Sequence, residues 1–354
     1  MTRRATIVGT GLIGASVALA LRSRGWIVSG VDRDEARTAD ALAAGVIDSV
    51  GYDAEAELVV VAVPVSSVAT VAAEALAACP QATVTDVGSV KAPIVATAAD
   101  DRFVGGHPMA GSEQDGLKGA DAGLFNGATW VLTPTDDTDP ARYAELRATI
   151  SSIGADVVEL RPENHDALVA LVSHVPHLTA ATLMGIAAST AEEHATLLRL
   201  AAGGFRDMTR IAAGHPAIWP DICAENRDAI LAGLDALTAA LASVRATVAA
   251  GDRDGLLARL EVARAARINL PARIATADAL VEVRIPVPDR PGVLAEVTTL
   301  AGELDVNIVD LEIAHSAEGD RGVLIVTIDA RASDRVCDEL RARGYHPAAT
   351  PVLL

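Results

Sequence analysis

The stretch GGHPMAGSE, residues 105–113, places a histidine after two glycines at the end of an apolar run. Neutral imidazole can accept a proton near pH 7, so His107 is a candidate general base for the hydroxyl proton of a carbinol that loses a hydride. A surface histidine in a glycine loop is the alternative. Ser89 also follows a predicted strand, and it could orient the imidazole or the hydroxyl, or cap the next helix. Ser112 and Glu113 could line the same cleft, although helix capping would explain them equally well.

Two further pairs of polar residues recur at helical spacing. In SHVPH, His174 and His177 would share a helical face if the helix continues through Pro176, where we expect a kink. In GGFRDMTRIA, Arg206 and Arg210 lie one helical turn apart, and paired guanidinium groups can bind a carboxylate. Core histidines and solvated, ion-paired arginines are the respective alternatives. Together the two pairs indicate a pocket for an acidic substrate.

A glycine motif near the N-terminus predicts a dinucleotide site. Gly9, Gly11 and Gly14 form GxGxxG between a predicted strand and a predicted helix. These glycines would allow the turn, the approach of a pyrophosphate and close helix packing, in that order. Asp32 is the expected acceptor for a ribose 2′-hydroxyl and would repel a 2′-phosphate, which favours NAD over NADP, although the neighbouring Arg33 leaves NADP open. The other residues expected to contact the cofactor are Leu12, Ile13, Val63 and Pro64.

Short apolar strands alternate with helical windows over residues 1–161. This alternation predicts an α/β domain with a Rossmann-type, doubly wound parallel sheet, which would bring the candidate residues to the carboxyl ends of its strands. The predicted strands are residues 3–8, 27–32, 57–64, 82–87, 102–106, 129–133 and 156–160.

The remainder of the chain predicts two more domains. Residues 162–278 have Ala and Leu at helical spacing, and such apolar helices often pack against a partner subunit, so we expect an all-helical dimerisation and substrate domain in a homodimer. Residues 279–354 show the order βαββαβ of the ferredoxin-like fold. Its predicted elements are residues 280–287, 291–304, 306–314, 322–330, 333–343 and a last strand near residues 346–354.

The composition excludes several functional classes. The chain is 51% hydrophobic and 21% charged, which is typical of a globular protein. Its net charge of -18, without a basic run, argues against a nucleic-acid partner. Three scattered cysteines predict no metal site and favour the reducing cytoplasm. The apolar residues 167–188 include two histidines and a proline, which are costly in lipid, so we expect a buried helical core and no membrane association.

The motifs GTGLIGAS, DVGSVK, GGHPMAGSE, ENHD, SHVPH and GGFRDMTRIA, in this order, resemble the prephenate dehydrogenase family. That family converts prephenate to 4-hydroxyphenylpyruvate with NAD or NADP in tyrosine biosynthesis and releases carbon dioxide, while some members convert arogenate to tyrosine. The resemblance implies that His107 takes the ring hydroxyl proton and that Ser89 is its hydrogen-bonding partner.

The same resemblance implies substrate-binding roles in the helical region. His177 would meet the substrate side chain, and Arg210 would hold a carboxylate. Asp166 and Glu113 would be polar supports near the pocket, and Trp219 would lie near it across a dimer interface. Arg206 stands where the family usually has lysine, which preserves the charge.

The C-terminal residues 279–354 resemble an ACT domain, a module that commonly binds an amino acid at a subunit interface. In VPDRPGVLAEV, the glycine would begin a helix whose N–H groups could receive a ligand carboxylate, and tyrosine or another aromatic amino acid is the expected effector. A purely structural module is the alternative. The candidate effector-binding residues are Asp289, Arg290, Pro291, Gly292, Val293, Leu294, Asn307 and Ile308.

Taken with the resemblance, the sequence predicts a homodimeric, cytoplasmic, NAD-dependent prephenate dehydrogenase regulated through its C-terminal domain. Arogenate dehydrogenase is the nearest alternative. A catalytically silent NAD or amino-acid sensor is an alternative of another class. A 3-hydroxyacid dehydrogenase of similar architecture would leave the paired arginines, the SHVPH motif and the C-terminal module unexplained.

Overall fold

The computed structural model describes residues 2–111, 116–193, 197–269, 280–288, 290, 292–308, 310–315 and 321–351. The chain divides into two compact units, Met1–Ala246 and Thr247–Leu354. The elements of the sheet region are, in order, β1 (Arg4–Val8), α1 (Leu12–Ser23), β2 (Ile27–Val31), α2 (Glu35–Ala43), β3 (Ser49–Val50), β4 (Leu58–Val61), α3 (Val68–Ala78), β5 (Thr83–Asp86), α4 (Ala92–Ala98), β6 (Phe103–Pro108), β7 (Thr129–Thr133), α5 (Pro140–Ser152) and β8 (Asp156–Glu159).

The first unit is built on one eight-stranded sheet with the strand order β3-β2-β1-β4-β5-β6-β7-β8. The order reverses between β1 and β4, and a ligand of such a sheet binds outside the carboxyl ends of the strands at this switch point. Strand β4, LVVV, is buried along its whole length, as expected for a β-branched run that is covered on both faces. The prediction of a Rossmann-like, doubly wound sheet is confirmed.

The sheet is not parallel throughout. Strand β7 runs antiparallel to β6, with His107 opposite Val131, and β8 is again parallel to β7. Among the described residues between β6 and β7 there is a short 3₁₀ turn, Gly116–Gly119, but no α-helix, and a parallel pair would need a crossover of that kind. The all-parallel prediction is therefore wrong at this one strand pair.

Two apolar clusters cover the two faces of the sheet. One contains residues of α1 and α5, including Leu21 and Ile150, and the other contains residues of α3 and α4, including Leu76 and Ile94. The second cluster also includes Ala170, from the helical region. The helical region therefore shares a core with the sheet, and its residues up to Ala246 belong to the first unit.

The helical region follows β8 without further strands among the described residues up to 269. A π-helical turn, Ala170–His174, continues directly into the helix that contains Pro176, so the helix does not break there. Because a π turn shifts the hydrogen-bond pattern, it accommodates a residue that has no N–H to donate. The helices are α6 (Pro162–Val169), α7 (Val175–Glu193), α8 (Gly203–Thr209), α9 (Trp219–Glu225), α10 (Arg227–Ala249) and α11 (Arg253–Ile268).

The expectation that residues 167–188 form a buried core is wrong for the single chain. Leu171, Val172 and Ile186 are 60%, 65% and 60% exposed. Two stretches, Pro162–Thr190 and Arg227–Ala249, are long and apolar enough to span a bilayer by length and composition alone. The sheet covers only part of their surface, and an uncovered apolar face is typical of an interface.

The second unit contains a four-stranded antiparallel sheet with the order β10-β11-β9-β12. Alternate side chains of β9, such as Val283 and Ile285, are fully buried against the two helices that follow β9 and β11. Strand β10 begins at residue 310 and not at residue 306 as the sequence predicts. The elements are β9 (Leu280–Pro288), α12 (Val293–Glu303), β10 (Asp310–His315), β11 (Arg321–Asp329), α13 (Ser333–Ala342) and β12 (Ala348–Pro351).

Candidate functional site

The glycine motif forms a tight turn between β1 and α1. Gly9 has φ +97°, and a Cβ on it would lie 2.2 Å from the carbonyl oxygen of Ala62. A Cβ on Gly14 would lie 1.9 Å from the carbonyl oxygen of Gly9, so helix and turn pack without side chains between them. A Cβ on Gly11 would point into open space. These three environments fit the turn, helix packing and pyrophosphate approach of a dinucleotide site.

Asp32 lies beside this turn, at the end of β2. Its carboxylate accepts hydrogen bonds from the backbone N–H of Thr10 at 2.9 Å and of Asp34 at 3.0 Å, which fix its orientation. A cleft of about 330 Å³ opens there. Leu12 and Ile13 form the first turn of α1 and are half-buried. The predicted cofactor residues that line the cleft are Gly9, Gly11, Asp32, Arg33, Val63 and Pro64.

Replacing Asp32 with serine should weaken NAD binding and reduce discrimination against NADP. A lost hydrogen bond to a charged group costs about 1.5–3 kcal/mol, which corresponds to a KM for NAD raised roughly 10- to 100-fold. The measurement is KM and kcat for both cofactors. Asp34→Ser is the matched control, because serine caps a helix as well as aspartate does and Asp34 caps α2. An unchanged NAD-to-NADP ratio in Asp32→Ser would contradict the assigned contact.

His107 lies within β6 and is only 9% exposed, so the alternative of a surface histidine in a glycine loop is not observed. Its Nδ1 is 2.9 Å from Nε2 of His165. Burial, followed by the electrostatic effects of His165 and Lys91, holds the pKa of His107 well below its usual value. The ring is therefore neutral near pH 7, as a general base must be.

Ser89 makes neither the imidazole contact nor the helix cap predicted for it, and its contact with a substrate hydroxyl stays a prediction. Among the described residues, the hydrogen-bond partner of the His107 ring is His165, and Ser89 makes no such bond. The N-cap of α4 is Lys91, and the amides at this helix end are capped by a side chain from a distant helix. Ser89 is half-buried in the loop between β5 and α4, near the carboxyl edge of the sheet.

That capping side chain is Asp166, from α6. One carboxylate oxygen accepts the backbone N–H of Lys91 at 2.7 Å, and the other accepts that of Ala92 at 2.8 Å. The first oxygen also lies 2.8 Å from Nδ1 of His165. Both oxygens are thus occupied by groups of the protein, and Asp166 contacts His165, while its predicted role as a polar support near the substrate pocket stays a prediction.

A buried ion pair lies beneath β6. The ammonium group of Lys91 donates to Asp86 and, at 2.8 Å, to the carbonyl oxygen of Gly106, and both charged side chains are fully buried. Burial lowers the pKa of Lys91, and the charge of Asp86 partly opposes this effect. Asp86 also accepts the backbone N–H of Gly88 at 2.8 Å and of Gly106 at 3.0 Å. The pair therefore joins the DVGSVK loop to the strand that carries His107.

The two histidines of SHVPH share one aromatic neighbour. The ring of Trp219 stacks on His177 with centroids 3.7 Å apart and meets the edge of His174 at 6.0 Å. These contacts lie within one chain, and a role of Trp219 across a subunit interface stays a prediction. Burial lowers the pKa of His177 and, more strongly, that of His174 to about 4.

His174 offers a buried hydrogen-bond donor. Nδ2 of Asn226 contacts both the carbonyl oxygen of Asp166 at 2.9 Å and Nδ1 of His174 at 3.2 Å. A carbonyl only accepts, so this Asn226 atom is the donor amide, and Nδ1 of His174 must carry the lone pair. The proton of neutral His174 is therefore on Nε2, which is buried without a partner among the described residues.

The low pKa of His174 predicts a pH-dependent stability. The unfolded chain takes up this proton below about pH 6.5 but the folded protein only near pH 4, so stability falls as the pH drops through that interval. Thermal melting between pH 7.5 and 4 measures the effect. His174→Asn should make the melting temperature depend less on pH than it does in His346→Asn, which lies in the second unit. Equal slopes in the two variants would contradict the prediction.

The paired arginines lie on an exposed part of the helical region. Arg206 is in α8, and its Nε donates to the carbonyl oxygen of Ala201 at 3.2 Å. Arg210 begins a 3₁₀ turn that ends at Ala213. This turn packs against α7, and a Cβ on Gly214 would lie 3.5 Å from Cε1 of His177. Ser112 and Glu113 lie outside the described residues.

Six of the eight candidate effector residues lie in the described part of the second unit. Gly292 has φ +96° and caps α12, and Arg290 donates to Glu296 at 3.0 Å. Val293 is buried, Leu294 and Asn307 are exposed, and Ile308 packs on the core of this unit. Asp289 and Pro291 lie outside the described residues.

Comparison with known proteins agrees with this geometry. Residues 17–159 match the model of the prephenate dehydrogenase nucleotide-binding domain, and residues 161–262 match that of the prephenate dehydrogenase dimerization domain. A prephenate dehydrogenase of Bacillus subtilis is 35% identical over 95% of this chain and 95% of its own length. The chain belongs to the prephenate dehydrogenase family.

Solved structures of prephenate and arogenate dehydrogenases are similar to about three quarters of the chain. A prephenate dehydrogenase from Aquifex aeolicus, in complex with hydroxyphenyl propionate and NAD+, has a TM-score of 0.71 and 28% identity and covers 77% of this chain and 99% of its own. An arogenate dehydrogenase from Synechocystis has a TM-score of 0.65 and 31% identity and covers 75% of this chain and 98% of its own.

Four residues of this prephenate dehydrogenase site were missed by sequence reasoning: Asp86, Lys91, His165 and Asn226. Asp86 and Lys91 occur in the quoted motif DVGSVK, where two opposite charges at the end of an apolar strand were a usable signal. His165 directly precedes Asp166 in ENHD, and a histidine beside an acidic residue is a usable signal there. Nothing local in the sequence distinguishes Asn226.

Proposed function

We propose that the chain catalyses the NAD-dependent oxidative decarboxylation of prephenate to 4-hydroxyphenylpyruvate, a step of tyrosine biosynthesis. The observation that carries the proposal is the neutral, buried His107, which lies at the carboxyl end of the sheet and is oriented through Nδ1 by His165. The family membership and the glycine turn beside Asp32 support it.

The reaction requires a base, orientation and charge complementarity. The ring carbon that bears the hydroxyl gives up a hydride, and bound NAD supplies the acceptor for it. Nε2 of His107 accepts the hydroxyl proton, so a ring ketone forms. The carboxylate on the opposite ring carbon then leaves as carbon dioxide, and its electron pair passes through the ring double bonds to the ketone oxygen, which makes the ring aromatic. The resulting phenolate oxygen takes the proton back from His107, so no net proton is consumed.

The helical region would hold the acidic substrate. We assign Arg210 to a substrate carboxylate, as guanidinium groups form bidentate pairs with carboxylates, and Arg206 to a supporting positive charge. Stacked on Trp219, His177 would meet the substrate side chain. The unpaired Nε2–H of His174 is a donor for a substrate oxygen, because a buried donor without a partner costs about 1–3 kcal/mol until it is satisfied. Ser112 and Glu113 stay proposed as further contacts.

Steady-state turnover of prephenate and arogenate, each with NAD and NADP, tests the proposal. We expect the highest kcat/KM with prephenate and NAD. Higher kcat/KM with arogenate would make the chain an arogenate dehydrogenase, a possibility favoured by its 31% identity to such an enzyme. An absence of turnover with both substrates would overturn the proposal.

We propose that residues 279–354, within the second unit, form an ACT domain with the ferredoxin-like fold. Its βαββαβ order and the position of β9 between β11 and β12 support this assignment. Tyrosine, or another aromatic amino acid, is the proposed effector, held by the predicted residues around the cap of α12. Tyrosine added to the assay should change the rate and should raise the melting temperature. No change in either would count against an effector site.

We further propose a cytoplasmic homodimer. The exposed apolar helices and the family description of residues 161–262 as a dimerization domain support the dimer. Sedimentation or light scattering at micromolar concentration measures it, and a monomer would contradict it.

A further inference from the structure

A continuous line of side chains connects His107 to a helix end. Its Nδ1 lies 2.9 Å from Nε2 of His165, whose Nδ1 lies 2.8 Å from the carboxylate of Asp166. His165 is fully buried, and Asp166 is 6% exposed. Three elements thus meet here: β6 contributes His107, α6 contributes His165 and Asp166, and α4 contributes the amides at its start.

The contacts fix where the protons are. Backbone N–H groups can only donate, so the two amides of α4 make the Asp166 carboxylate an acceptor. Nδ1 of His165 therefore donates to Asp166, and a neutral His165 then has its lone pair at Nε2. That lone pair requires a proton on Nδ1 of His107. The remaining nitrogen of His107, Nε2, is left with the lone pair that a base needs.

Asp166 itself is held from two sides. Its carboxylate is bound by the amides of Lys91 and Ala92, and its carbonyl oxygen accepts from Asn226 at 2.9 Å. Such a support limits both rotation of the carboxylate and movement of α6. The orientation of His165 thus depends on rigid backbone groups and not on solvent.

We propose that His165 and Asp166 are positioning residues that hold His107 in the tautomer with the proton on Nδ1 and the lone pair on Nε2. This inference rests on the proposed function only in that His107 is the base. Neither residue touches the substrate in this scheme, and both act through the imidazole.

Two replacements of His165 separate its contact with His107 from its contact with Asp166. Glutamine places an oxygen near the position of Nε2 and can still accept from His107, whereas asparagine places its amide near Nδ1 and can contact only Asp166. We expect His165→Asn to lower kcat by about 10²-fold and His165→Gln to stay within about tenfold of the unmodified protein. His346→Asn, in the second unit, controls for the loss of a histidine.

Nitrogen-15 NMR of histidine-labelled protein supplies a readout that is independent of turnover. The His107 signals are those absent from His107→Asn. We expect a protonated Nδ1 and an unprotonated Nε2 in the unmodified protein and in His165→Gln, and a mixture of tautomers in His165→Asn. A protonated Nε2 in the unmodified protein would overturn the inference even if both variants failed to fold.

Equal kcat in the two folded variants, or an unchanged tautomer in His165→Asn, would also overturn the inference. Failure of the proposed function looks different. In that case the unmodified protein would turn over neither prephenate nor arogenate, whatever the tautomer of His107.

Discussion

The His107→Asn variant is expected to lose about 10²-fold or more in kcat/KM for prephenate while its affinity for NAD stays unchanged. Asparagine places an amide near the position of Nδ1 and can still donate to His165, so the support is kept. It has no group at the position of Nε2 and therefore cannot accept the hydroxyl proton. The measurements are steady-state kinetics and NAD titration by fluorescence or calorimetry.

This variant also decides between an enzyme and a sensor. A catalytically silent sensor would show no turnover even in the unmodified protein. If the unmodified protein is active and His107→Asn has the same rate, His107 is not the base. Because the pKa of His107 lies well below its usual value, the acid limb of the kcat/KM profile should also lie below pH 6.5. A limb above that value would contradict the neutral ring seen in the structure.

Much of the fold is predictable from local patterns. The apolar runs place seven of the eight sheet strands to within a few residues and miss the two-residue strand β3, and the GxGxxG spacing locates the turn after β1. The antiparallel strand β7 is not predictable in the same way, because its residues TWVLT suit either direction. Direction depends on whether a helix crosses back over the sheet, and the chain between β6 and β7 gives no clear periodicity.

Individual residues of the site can be predicted from the sequence, but the contacts between them cannot. His107, His174 and His177 stand out as polar residues in apolar runs. Their partners do not, because His165 is 58 positions from His107 and Asp166 is 75 positions from Lys91. Such contacts depend on how α6 packs against α4, and a single sequence carries no direct record of that packing. The end of a predicted strand and the family resemblance indicate Ser89 as the partner of His107, whereas in the fold the His107 ring contacts His165.

The ion pair of Lys91 and Asp86 should have the largest effect on stability. Lys91→Met keeps the length of the side chain but leaves the Asp86 carboxylate buried without a cation, and breaking a buried pair in this way costs about 3–5 kcal/mol. Lys118→Met is the matched control, because Lys118 is the only other lysine of the chain and is exposed. Denaturant unfolding measures the difference, and a loss below about 1 kcal/mol would contradict it, because exposed ion pairs are worth no more than that.

A second change distinguishes the charge from the packing. Asp86→Asn removes the uncompensated charge but keeps an oxygen that can accept the N–H of Gly106, so Lys91→Met/Asp86→Asn should recover part of the stability that Lys91→Met loses. The charge of Lys91 also lowers the pKa of His107, so its removal should move the acid limb of kcat/KM to higher pH in Lys91→Met. If the double variant is less stable than Lys91→Met alone, packing and not the unpaired carboxylate is responsible. If the acid limb stays in place, the buried ammonium group stabilises β6 without tuning the base that β6 carries.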